Sequence, residues 1–124
     1  MKTAIVILSD PLSGADEALG RVFNALAAAY DLKQQAQDVE ILFHGAGTRW
    51  ANHLSRPDHP VHALFTAVAD KVTGVSSGCA DVFGARADAE AQGFHLVTDN
   101  AVPGTSGLPS LARYIADGYS VLTF

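Results

Sequence analysis

Ala4-Ile5-Val6-Ile7-Leu8 is an unbroken apolar run, β-branched at Ile5, Val6 and Ile7, with no polar residue alternating through it. A strand with one wet face alternates apolar and polar side chains, whereas an unalternating run suits a strand covered on both faces, as in a parallel sheet. Parallel neighbours need long crossover connections, usually helices. The residues beyond the run supply one. After Asp10-Pro11-Leu12-Ser13-Gly14, a turn, residues 16–35 place Leu19, Val22, Phe23, Leu26 and Tyr30 at helical spacing with acidic residues in the first turn, which predicts a long amphipathic helix.

Val39 to Phe43 predicts a second strand, and His44-Gly45-Ala46-Gly47-Thr48-Arg49-Trp50 a loop leaving its C-terminal end. Val61, Leu64, Phe65 and Val68 recur at helical spacing up to about residue 71. Val72 to Ser77 reads as a short third strand, Gly78-Cys79 as a turn, and residues 80–92 as two short helical pieces parted near Gly84. Phe94 to Thr98 predicts a fourth strand, followed by a loop of turn formers over residues 99–107. Leu111, Tyr114 and Ile115 mark a last helix ending at Gly118, and Tyr119 to Phe124 a fifth strand. Strands alternating with helices imply β-α-β crossovers and a parallel sheet with helices on both faces.

A length of 124 residues is that of one domain, spanning 1–124. With 48% hydrophobic and only 17% charged residues the chain has the composition to fold, and its sparse polar surface predicts burial of some of the outside in a homo-oligomer. The net charge of -5, with scattered basic residues, argues against nucleic-acid binding. No apolar run approaches a membrane span, and the opening run meets Ser9-Asp10-Pro11 too soon for an export signal. One cysteine, Cys79, excludes an intrachain disulfide and a multi-thiolate metal site within one chain, and fits a reducing cytoplasm.

Ligands and reactive groups of open parallel sheets gather beyond the carboxyl ends of the strands. There the predicted strands deliver Ser9 and Asp10, then His44 to Trp50, then Ser77 to Cys79, then Asp99 and Asn100. A thiol at a helix N-terminus has its thiolate favoured, and Arg49 or His44 nearby would add to this, whereas Asp81 would oppose it if it faces the sulfur. The competing reading makes Cys79 a small buried hydrophobe closing a turn. Without a second thiol, an intrachain dithiol mechanism is out, which leaves an acyl intermediate, a mixed disulfide or a persulfide. Gly45-Ala46-Gly47 lacks the third glycine of a dinucleotide loop and any Walker lysine. Its glycines then serve tight turns, with Arg49 pairing a carboxylate and Trp50 packing or lying at a subunit contact; both are also candidate site walls. His59 and His62, with His53 and Asp58 close by, have zinc-like spacing but sit at a helix start after which geometry is open, so no metal is assigned and no cofactor is expected.

Taken together, Ala4-Ile5-Val6-Ile7-Leu8-Ser9-Asp10, Gly78-Cys79-Ala80-Asp81-Val82-Phe83-Gly84-Ala85 and Asn100-Ala101-Val102-Pro103-Gly104 resemble the DsrE/DsrF-like family over essentially the full length, nearest to its small single-domain members. The resemblance implies a three-layer α/β/α sandwich, flavodoxin-like in style, with a five-stranded, mainly parallel sheet, and assembly into trimers or hexamers. In relay members a cysteine after the third strand accepts sulfane sulfur as a persulfide. Cys79 occupies that position and would take sulfur from a donor protein and pass it to a partner's cysteine, a sulfurtransferase-type carrier. His44, Arg49, Trp50, Ser77 and Asn100 enter as its crevice neighbours, on the strand-end argument alone. Two other readings stand beside this one. The first is a non-catalytic oligomeric module holding a small anion or nucleotide in the crevice; the second is a scaffold with Trp50 and Tyr114 buried between subunits.

Overall fold

The computed structural model describes all residues, 1–124. The elements run β1 (Lys2–Ile7), α1 (Asp16–Gln34), β2 (Asp38–Phe43), α2 (Trp50–Leu54), α3 (His62–Val68), β3 (Val72–Ser76), α4 (Ser77–Val82), α5 (Arg86–Ala91), β4 (Leu96–Val97), α6 (Leu111–Ala116) and β5 (Ser120–Thr123). The five strands form one sheet in the order β4-β3-β2-β1-β5, with every neighbouring pair parallel. Ala4 to Ile7 are at most 1% exposed, covered on both faces as the pattern requires, whereas Leu8 lies past the end of β1 and is 47% exposed.

Strand order explains how the helices divide. From β1 through β4 the chain steps across the sheet in one direction, and crossovers of one hand then lay α1 to α5 on one face. The return from β4 to the far side of β1 reverses direction and puts α6 on the other face. The core follows this division. On the crowded face Ile5, Ile7, Ile41 and Phe43 pack with Val22 and Leu26 of α1 and Phe65 of α3, whereas Val6, Leu42 and Val97 on the other face meet only Leu111, Tyr114 and Val121. Burial of Phe43, the largest fully enclosed side chain, contributes about 2–3 kcal/mol.

Some expected boundaries shift. The fourth strand contracts to Leu96–Val97, because Phe94 turns into the core, its ring edge-on to Phe43 at 6.4 Å. Trp50, expected to end the loop after the second strand, instead opens α2, which buries Trp50, Ala51 and Leu54.

Candidate functional site

β3 and β4 are neighbours whose outgoing connections leave on opposite faces, α4 on one and the chain to α6 on the other. Such a parting opens a crevice beyond the strand ends. Here the loop after β4 folds down on α4. Asn100 and Leu108 exchange backbone hydrogen bonds of 2.6 and 3.0 Å, and the Gly107 carbonyl accepts from the Gly78 N–H at 2.7 Å. Gly78 lets the loop come close, since a Cβ there would lie 2.8 Å from Leu108 Cδ1 and 3.2 Å from the Gly107 oxygen. At the other strand end Ser76 is the N-cap, its Oγ accepting from the Cys79 N–H at 3.4 Å. The helix therefore begins at Ser77, three residues before the expected start, and the half-buried Cys79 stands within its first turn.

Ser77 and Asp81 are four residues apart and share one face of α4, while Cys79, two residues from each, projects from roughly the opposite side. Arg86 of α5 closes on that Ser77–Asp81 face. Its Nε donates to Asp81 Oδ1 at 2.5 Å and its Nη2 to Ser77 Oγ at 2.6 Å and Ser106 Oγ at 3.2 Å. Ser106 Oγ in turn donates to Asp81 Oδ2 at 2.7 Å and lies 2.7 Å from Ser77 Oγ. Hydrogen bonds from Arg86 and then Ser106 hold the Asp81 carboxyl below the usual carboxylate range, and the same pairing with Asp81 raises Arg86. The Asp81 carboxylate, expected to oppose the thiolate if it faces the sulfur, is instead paired with Arg86 and Ser106. Sequence reasoning missed Arg86 and Ser106. A five-residue separation across the Gly84 turn is not a helical pair spacing, and Ser106 reaches Asp81 only because the loop folds back.

The remaining candidates do not converge on one cavity. His44 is 7% exposed with no partner for Nε2, and burial pushes its pKa down to about 4, so it is neutral at pH 7 and adds no positive charge near Cys79, contrary to expectation. Arg49 Nη1 donates to both Asp10 carboxylate oxygens at 3.1 Å, and its Nε donates to the Phe83 carbonyl at 3.1 Å. It is the carboxylate-pairing residue of the simpler reading, tying the turn after β1 to the end of α4. Trp50 is 3% exposed within its own chain, its Nε1 donating to the Ser9 carbonyl at 2.7 Å, which corrects its placement at a subunit contact. Tyr114 likewise packs within the chain, its hydroxyl donating to Glu40 at 2.8 Å. Ser77 is buried in the Arg86 cluster, and Asn100 is exposed in the loop bridge. A cavity of about 270 Å³ beside α4 is lined by Leu12, Arg49, Asn52, His53, Phe83 and Asp88 together with Gly84 and Ala85, and His44, Trp50, Ser77 and Asn100 take no part in it. His59 Nδ1 accepts from the Val61 N–H at 3.1 Å and His62 Nδ1 lies 2.7 Å from the Leu54 carbonyl, so these histidines serve the backbone. No helix is long and apolar enough to cross a membrane.

The sequence that folds in this way is similar to known proteins. A family-wide sequence profile described as the DsrE/DsrF-like family matches residues 1–124. An uncharacterized protein of Methanocaldococcus jannaschii is 27% identical over 101 residues, covering 82% of this chain and 78% of that one. No solved structure matches. With the match running from the first residue to the last, the chain belongs to the DsrE/DsrF-like family.

Proposed function

We propose that this protein is a sulfur carrier of the relay type, holding a sulfane sulfur as a persulfide on Cys79. The observation that carries the reading is the position of the chain's one thiol, half-exposed in the first turn of α4 at the carboxyl edge of a DsrE/DsrF-like sheet. The Cys79 thiolate attacks the terminal sulfur of a donor persulfide; the new S–S bond forms as the donor's S–S bond breaks, and the donor departs as a thiolate. An acceptor thiolate then attacks the outer sulfur of Cys79-S-SH, returning Cys79 as thiolate, so the cycle consumes no oxidant. Donor and acceptor are other proteins, the carrier works as a trimer or hexamer, and a reducing compartment such as the cytoplasm keeps the thiol free.

Intact mass measured after incubation with a cysteine desulfurase and cysteine tests this. A gain of one sulfur atom, reversed by reductant and absent from Cys79→Ser, is the expected result. An unchanged mass, with the thiol also inert to a small alkylating agent, would make Cys79 a structural residue and end the reading.

A further inference from the structure

Val39 to Phe43 is apolar at every position but one, Glu40. β2 is the middle strand of the sheet, and the alternation that sends Ile41 and Phe43 to the crowded face turns Glu40 to the other, beneath α6. A half-buried carboxylate there is costly without partners. Thr73 Oγ1 and Tyr114 Oη donate to its Oε1 at 2.7 and 2.8 Å, and Tyr119 Oη donates to its Oε2 at 2.7 Å. All three partners are neutral, and none of the chain's ion pairs includes Glu40. A cavity of about 280 Å³ opens beside it, between Glu40 and Thr73 on the sheet and Ser110, Arg113, Tyr114 and Asp117 along one side of α6. We propose that this cavity binds a small primary amine, held as its ammonium by Glu40 and the hydroxyls of Tyr114 and Tyr119. The site lies on the sheet face opposite α4 and is independent of the reading of Cys79.

The chemistry of the walls selects the ligand. Burial alone would raise the Glu40 carboxyl, but the hydrogen bonds from Tyr119, Thr73 and Tyr114 together outweigh it and hold the group below the usual carboxylate range, so its charge is present at neutral pH. The hydrogen bond to Glu40 pushes Tyr119 up to about 12, and burial followed by the same kind of bond raises Tyr114. Both phenols therefore keep their protons and direct them at the carboxylate. Each hydroxyl oxygen is left with acceptor capacity, as is Oε2, which takes a single donor. A primary ammonium carries three N–H donors and no acceptor, and so matches three acceptors that have no counter-charge of their own. Aromatic faces add a second attraction. The Tyr114 and Tyr119 rings stand edge to face at 5.0 Å, and the chain's own Lys2 Nζ lies 5.6 Å from the Tyr119 centroid while donating to the Asp117 carbonyl at 3.4 Å. Of the other charged groups on the walls, Arg113 lies 3.8 Å from Asp99, and Asp117 caps the end of α6. Three carboxylates against one guanidinium give the cavity a field that repels anions. These carboxylates do not gather into a set that would hold a metal ion. The volume falls just under the range of drug-sized sites, which restricts the amine to a short carbon chain.

Titration of nitrogen-15-labelled protein with n-butylammonium chloride, followed through the backbone amide resonances, tests the proposal. Saturable shifts are expected at residues around the cavity, among them Thr73, Tyr114 and Tyr119, with a Kd of about 1 mM. Sodium chloride at matched ionic strength, and 1-butanol, which has the chain without the charge, should leave those amides in place. Glu40→Gln keeps an oxygen for the three hydroxyls but removes the charge, and is expected to weaken binding about a hundredfold, beyond detection. Tyr119→Phe removes one acceptor and should weaken binding about tenfold; it decides the matter if Glu40→Gln does not fold. No saturable shift up to about 100 mM amine, a hundredfold above that Kd, overturns the proposal. The same shifts from sodium chloride or butanol, or an unchanged affinity in either folded variant, overturn it equally. Nα-acetyl-lysine N-methylamide, titrated in parallel, separates two sources of the amine. Tighter binding of butylammonium assigns the cavity to a free amine, and tighter binding of the lysine derivative to a side chain presented by another protein. Sulfur loading of Cys79 is measured separately, so the failure of either reading leaves the other standing.

Discussion

His44 continues β2 with extended backbone, and the strand alternation that aims Leu42 at the α6 face aims its imidazole the same way. There it is buried with Nε2 unpaired, and its pKa falls from 6.5 to about 4. The linkage has a definite sign. Between those values the unfolded chain binds a proton that the folded chain refuses, so the contribution of His44 is fully present above pH 6.5 and is lost as the pH falls towards 4. Full loss amounts to about 3 kcal/mol. Urea unfolding of wild type and His44→Gln at a series of pH values should show the wild type losing stability relative to the variant across this window. A stability difference that does not change with pH would sink the assignment. Histidine at 44 was legible as a strand-end residue, but its burial was not, because burial depends on tertiary packing that a local pattern does not report.

The turn Gly45–Arg49 shows how an element reads differently once it is packed. In sequence its two glycines resembled a fragment of a phosphate loop, and each has a separate backbone reason to be glycine. Gly45 adopts φ +55°, and a Cβ on Gly47 would lie 2.2 Å from the Ile7 carbonyl oxygen of β1. Gly20, in the second turn of α1, has open space around it and a helical backbone. Gly47→Ala should therefore destabilise the protein by about 2–4 kcal/mol, while Gly20→Ala stabilises it by about 0.5–1 kcal/mol. Urea midpoints at pH 7 check both, and equal effects would contradict the packing of the turn on β1. The alternation of strands and helices was legible across the chain, since hydrophobic periodicity reports burial locally. The start of α4 was not, because the Ser76 cap acts three residues ahead of the apolar pattern.

At the scale of the whole molecule, the layers are unequal. Five helices crowd one sheet face and α6 alone covers the other, leaving Ile115 64% exposed; Val82 is 73% exposed, and Phe23, Tyr30 and Leu122 lie between 42% and 49%. Exposed apolar area of this kind, on a chain with only 17% charged residues, favours association. Sedimentation velocity at micromolar concentration should show three or six times the 13.0 kDa chain mass. A single species of chain mass would overturn the oligomeric part of the proposed function and leave the chemistry of Cys79 to be judged by sulfur loading.

The sequence by itself determined the parallel α/β class, the order of elements and the place of Cys79 at the carboxyl edge after β3. These depend on periodicity and chain direction, which neighbouring residues encode. Only the tertiary structure decided the strand order, the uneven layers and the partners of the charged groups. Arg49 meets Asp10 across 39 positions and Ser106 meets Asp81 across 25, contacts that exist because the loops beyond the sheet edge fold onto one another. No local pattern specifies where two such loops will touch. That is settled when the core closes and most buried or half-buried polar groups find a partner within reach.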